Sequence, residues 1–246
     1  MLAPLEMSVP AADGLILKGT LTYATGRPGE LLPLAVLAHQ YPATRDSFAP
    51  LVRDLLAAGV ATLAFDQRGH GASTVGPKGP VVVDAPEGLG LEAFGTAFVA
   101  SAHRVEFARI ENDVIRVVGW GASQNFIDPA RLALVGASVG GPGVLLAAPA
   151  LPGLRAVATV GAAGAPAFGS DAPERVRKAV EGLKLPVWLG SSEGDPFEGG
   201  ANVTRWSKGL THATARLVPG TAHAMAIYFD VRDDLVSFLR KALGVA

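Results

Sequence analysis

Short continuous apolar runs alternate along this chain with segments in which apolar residues recur at helical spacing. The runs at 34–38, 60–65, 132–135, 154–160, 186–189 and 214–218 are too short and too evenly apolar for amphipathic helices. They predict strands buried on both faces, as in a parallel sheet. Residues 14–21 predict an earlier strand behind the Asp13-Gly14 turn. Between the runs, Phe48, Leu51, Val52, Leu55 and Leu56 mark a helix behind Asp46 and Ser47, either of which fits as its cap, and Gly59 ends it. Ile110, Val114, Val117 and Val118 mark another. A third has Pro173 near its start and turns Val176, Ala179, Val180 and Leu183 inward, and the last buries Ile227, Val231, Leu235, Phe238 and Leu239. The expected fold is α/β, a mostly parallel central sheet with helices on both faces.

The polar residues of interest stand directly after predicted strands. These are His39-Gln40-Tyr41-Pro42, the turn Asp66-Gln67-Arg68-Gly69-His70-Gly71, Gly136-Ala137-Ser138-Val139-Gly140, Glu193-Gly194-Asp195-Pro196, and Pro219-Gly220-Thr221-Ala222-His223. Open parallel sheets gather ligands at the carboxyl ends of their strands, so these separated residues are expected on one edge. No repeat or linker divides the chain, which reads as one domain over 1–246. The least regular stretch, about 75–105, is rich in Gly and Pro early and carries Leu89, Leu91, Phe94 and Phe98 later. It reads either as a small lid or as a peripheral packing excursion.

Composition narrows the chemistry. The 246 residues are 49% hydrophobic and only 17% charged, which excludes a disordered chain. A net charge of −1 without a basic stripe argues against nucleic acid or an anionic membrane surface. No cysteine is present, so disulfides, thiolate metal sites and a Cys nucleophile are excluded. The opening residues lack a basic-then-apolar leader, and no stretch approaches the roughly 20 apolar residues of a membrane span, so a cytoplasmic location is expected. Nothing in the sequence calls for a metal, nucleotide or flavin cofactor.

A serine hydroxyl is a poor nucleophile until a neighbouring base takes its proton. A Gly-x-Ser-x-Gly turn between a strand and a helix lifts the serine onto a strained corner, with glycines where side chains would collide. Residues 132–135 supply that strand, and the helix from Val139 onward tolerates Pro142 in its first turn. The motif alone is weak in a chain with 30 glycines; its position after a strand strengthens it. Val139, next after Ser138, is the first expected backbone donor to an oxyanion.

The segment from Asp128 to Gly141, together with the His39-Gln40-Tyr41-Pro42 turn, the Asp66 to Gly71 segment and a terminal His223, resembles α/β-hydrolases related to dienelactone hydrolases and small esterases. The resemblance runs over essentially the whole chain. Dienelactone hydrolases use a cysteine where Ser138 stands, which points to the serine esterase side. The resemblance implies His223 as base, Asp195 as orienting acid and the Tyr41 amide as second oxyanion donor. Glu193 is the nearest rival acid, with Asp66 further behind. Relatives often have Gly where Gln40 stands, so its side chain is expected to narrow or polarise the wall. His39 is expected to organise the oxyanion loop, His70 to be structural, and His103 and His212 to be surface or packing residues. Only one helix fits between residues 160 and 186, so little or no cap is expected there. That implies an open site, with Phe94, Phe98 and Tyr41 as apolar walls and short acyl chains favoured. The expected substrate is a small carboxylic ester. A thioester, lactone or amide would use the same residues, and a non-catalytic binding module on the same fold is the alternative from another class.

Overall fold

The computed structural model describes residues 2–24, 29–85, 88 and 90–245. Among the described residues ten strands run β1 (Leu2–Pro10), β2 (Ile16–Ala24), β3 (Leu32–Ala38), β4 (Ala61–Asp66), β5 (Val75–Gly76), β6 (Gly79–Pro80), β7 (Ile127–Ala137), β8 (Leu154–Val160), β9 (Val187–Ser192) and β10 (Ala213–Val218). Seven helices accompany them among the described residues: α1 (Ala49–Ala57), α2 (Leu91–Arg104), α3 (Ile110–Ala122), α4 (Gly140–Ala147), α5 (Ala172–Gly182), α6 (Gly199–Ser207) and α7 (Tyr228–Leu243). None is long and apolar enough to cross a membrane.

The strands form one sheet in the order β10-β9-β8-β7-β3-β4-β2-β5-β6, with β1 paired to β2. From β4 to β10 every pairing is parallel, whereas β2 joins β4, β1 and β5 antiparallel. The even apolar runs follow from this arrangement. In β3, Leu34, Val36 and Ala38 face one core while Ala35 and Leu37 face the other. In β7, Leu132 and Leu134 divide from Ala133, Val135 and Ala137 in the same way. Successive side chains point to opposite faces, so a strand covered on both must be apolar throughout. The first core takes Val114 and Val117 of α3, Val144 and Leu145 of α4, Val176 and Val180 of α5, and Val203 and Trp206 of α6. The second takes Leu51 and Leu55 of α1 and Val231, Leu235 and Leu239 of α7.

Several elements differ from the sequence reading. The start of the chain forms β1, a strand whose partner is the next strand and whose pattern is broken by Pro4. Helix α6 begins Gly199-Gly200, two poor helix formers, and is held by the burial of Val203 and Trp206. Thr44 caps a short 3-10 turn (Arg45–Phe48) that enters α1, so neither Asp46 nor Ser47 caps the α-helix. The irregular stretch resolves into the small β5–β6 hairpin and α2, with Leu89 outside the described residues. One α-helix, α5, lies between β8 and β9.

A buried ion pair joins the strand ends to the helical layer. Arg68, after β4, donates through Nε to Asp113 Oδ2 on α3 at 2.6 Å and reaches Asp13 Oδ2 at 3.1 Å. Its Nη1 also donates to the Val105 carbonyl at 3.0 Å, so the charge is paired and its donors are occupied.

Candidate active site

Ser138 sits where β7 passes into α4, with φ of +48°, a left-handed conformation that is unfavourable for a residue with a Cβ. The turn is held by its own backbone: Ser138 N–H donates to the Val160 carbonyl at 3.1 Å, and the Ser138 carbonyl accepts from Gly141 at 2.8 Å. Packing explains the flanking glycines. A Cβ on Gly136 would stand 2.3 Å from the Gly140 carbonyl oxygen, and one on Gly140 would stand 2.1 Å from that of Ala38. The turn therefore closes directly on the end of β3, beside the His39 loop.

His223 follows β10 and presents both ring nitrogens. Its Nε2 lies 2.8 Å from Ser138 Oγ, and its Nδ1 lies 2.8 and 2.9 Å from the two Asp195 carboxylate oxygens. A carboxylate only accepts, so Nδ1 carries the proton and Nε2 is left to receive one from the serine hydroxyl. Asp195 is fully buried at the side chain, while His223 keeps 18% exposure. The carboxylate is held by Ser191 Oγ at 3.1 Å and the Phe197 amide at 2.9 Å, neither of which the sequence reading singled out. Glu193, two residues earlier, is exposed. Asp66 is committed elsewhere, accepting from the Arg45 and Ala72 amides at 2.9 Å each.

The loop after β3 is built on His39. Its buried ring donates from Nδ1 to the Gln40 carbonyl at 2.8 Å, and Nε2 accepts from the Gln67 amide at 2.9 Å. The Gln67 side chain in turn donates to the His39 carbonyl. Burial pushes His39 down to about 4, keeping the ring neutral. Beside it, His70 donates from Nδ1 to the Arg68 carbonyl at 3.0 Å, and burial with the neighbouring His39 pushes it down to about 3. His103 is exposed, and His212 Nε2 lies 2.9 Å from the Val180 carbonyl. Neither the Tyr41 nor the Val139 amide donates a hydrogen bond among the described residues.

Above Ser138 lies a cavity of about 60 Å³ walled by Tyr41, Phe94, Phe98, Phe197 and His223, with Ala163 and Gly164 at its side. The site expected to be open is narrowed from above. With no cap after β8, helix α2 takes that place. Phe94 and Phe98 each pack edge-on against Tyr41 at 5.4 Å, and Phe94 meets Phe197 at 5.2 Å. The Tyr41 hydroxyl donates to the Asp84 carbonyl, and Asp84 is bound again through Ser101 of α2, whose Oγ accepts from the Asp84 amide at 2.8 Å. Ser138 is left 8% exposed. Gln40 does not line the cavity; its side-chain oxygen accepts from Ser47 Oγ at 3.4 Å. Phe197 was legible only as the apolar residue two after Asp195.

Solved structures share this architecture. A protein described as a dienelactone hydrolase, from Klebsiella pneumoniae, aligns over 99% of both chains at 18% identity with a TM-score of 0.71. An esterase domain from Rhodothermus marinus aligns over 97% of this chain and 98% of its own at 17% identity and a TM-score of 0.66. An esterase from Rhizomucor miehei covers 99% of this chain and 85% of its own at 18% identity and a TM-score of 0.67. No curated protein matches the sequence. At such identities the likeness establishes the fold. Residues 33–185 match the family described as alpha/beta hydrolase fold, more than half of the chain, and the protein belongs to that family.

Proposed function

We propose that this chain is a serine hydrolase of small carboxylic esters, working as one domain with Ser138 as nucleophile, His223 as base and Asp195 as orienting acid. The observation that carries the reading is the unbroken hydrogen-bond chain from Ser138 Oγ through both nitrogens of His223 to the buried Asp195 carboxylate. Ser138 Oγ attacks the ester carbonyl carbon while its proton passes to His223 Nε2. Asp195 keeps the ring in the Nδ1–H tautomer and stabilises the imidazolium. The carbonyl oxygen becomes an oxyanion received by the Val139 and Tyr41 amides, one such donor being worth about 2.7–4 kcal/mol in related chemistry. Collapse breaks the bond to the alcohol oxygen, which leaves with the proton from Nε2. Water then gives a proton to Nε2 and attacks the acyl-enzyme. Release of the carboxylic acid returns the proton to Ser138.

The esterase-like neighbours lend support to an ester over an amide. In this reading α2 is a small lid, and Tyr41, Phe94 and Phe98 contact the substrate. A fluorophosphonate should form one adduct, on Ser138, and Ser138→Ala should give none. Absence of an adduct on folded wild-type protein would instead favour a binding module. A panel of aryl esters with a lactone and a thioester then identifies the preferred class.

A further inference from the structure

Beside the small cavity runs a groove of about 930 Å³ between α2 and the segment after β8, lined by Val99, Ala102, Pro166 and Ala167 with His103 and Arg109 at its wall. The two spaces share Phe98 and Gly164. Between them Phe98 meets Gly164. Gly164 has φ of +74°, and a Cβ there would stand 2.8 Å from the ζ carbon of Phe98, so the tip of the ring rests on a position that has no side chain. Among the rings, Phe98 meets Tyr41 at 5.4 Å and Phe107 at 5.7 Å between centres.

The orientation of the ester follows from the ring order. Rings line the site in an arc from His223 to Phe197 at 4.6 Å, on to Phe94 at 5.2 Å, to Tyr41 at 5.4 Å and to Phe98 at 5.4 Å. The leaving oxygen must take its proton from His223 Nε2, so the alcohol lies at the His223 end. The acyl group then points toward Phe98 and Gly164. The cavity of about 60 Å³ beside Ser138 is many times smaller than the groove of about 930 Å³ behind Phe98, so a long acyl chain has room only in the groove.

We infer that Phe98 seated on Gly164 determines acyl length, and that the groove behind it receives an apolar acyl chain once the ring swings aside. This rests on the ester-hydrolase reading above. The groove is lined largely by apolar side chains, and the charges at its wall, Arg109 and Glu106, are bridged to each other at 2.9 Å, which suits an uncharged chain.

The test compares kcat/KM for p-nitrophenyl octanoate and p-nitrophenyl acetate. Wild type should favour acetate, and Phe98→Ala should raise the octanoate-to-acetate ratio by about tenfold or more, in the range that pocket length sets in other enzymes. Phe98→Leu keeps an apolar contact on Tyr41 and Phe107 and should shift the ratio the same way, serving if the alanine variant does not fold. Adding Val99→Trp, at an exposed position of the groove, to Phe98→Ala should return the ratio toward wild type. A gain that survives Val99→Trp, or acetate cleavage with an unchanged ratio in both Phe98 variants, overturns this inference alone. Wild type that cleaves neither ester and takes no fluorophosphonate overturns it together with the hydrolase reading.

Discussion

His39 and His70 are neutral because they are buried, and that burial sets how the fold responds to acid. Desolvation holds His39 down to about 4, and desolvation with the adjacent His39 ring holds His70 down to about 3. In the unfolded chain each imidazole titrates near its ordinary value of about 6.5. Below that value the unfolded state binds protons that the folded state refuses, so stability falls as the pH falls. It is fully present above about pH 6.5 and is lost progressively toward the folded values. Each histidine contributes a slope of about 1.4 kcal/mol per pH unit, the two together about 2.7, or about 5 kcal/mol between pH 6.5 and 4.5. That is a large part of the roughly 5–15 kcal/mol that stabilises an ordinary domain. Urea unfolding followed by tryptophan fluorescence at intervals from pH 7 to 4.5 measures the slope. His70→Gln keeps a donor for the Arg68 carbonyl but cannot titrate, so its slope over that window should fall by about half. The difference between the two proteins removes the contribution of titrating groups that do not touch His70. Equal slopes in wild type and His70→Gln would refute a buried, neutral His70.

Three further outcomes test other parts of the structure. Asp195→Asn should lower kcat by about 10⁴, the loss expected when the histidine tautomer is reversed, whereas exposed Glu193→Gln should leave it within about threefold in the same ester assay. Gly140→Ala drives a Cβ to 2.1 Å from the Ala38 carbonyl oxygen and should destabilise by about 3 kcal/mol or more in thermal unfolding, because the atoms it meets, of Ala38 and His39, are backbone that cannot rotate away. Asp113→Ala leaves buried Arg68 without its main partner and should cost about 3–5 kcal/mol by urea titration.

Much of the sheet was legible along the chain because its central strands are covered on both faces and so are apolar without interruption. Residues 34–38 and 154–160 lie within β3 and β8, and the helical spacing of Val231, Leu235 and Leu239 falls on the buried face of α7. Strand β1 was not legible, since its pairing with β2 is made on the sheet's margin and its residues carry no uniform pattern. Helix α6 was hidden by its Gly-Gly start: its stability lies in the burial of Trp206 and Val203, not in local propensity.

The site divides the same way. By itself the sequence determined that Ser138, Asp195 and His223 stand just after strands, because the alternation of apolar runs and turns is a local property of the chain. Only the tertiary structure decided that Asp195 and not Glu193 meets His223, since two residues of a turn face different surroundings and only one enters the buried side. It alone decided, too, that a helix narrows the site. Helix α2 carries a mixed pattern with exposed Leu91 and Val99, and its ring contacts over the site are with Tyr41 and Phe197, residues distant in the sequence. Where a helix lies over a pocket depends on the sum of such distant contacts, and local periodicity does not encode it.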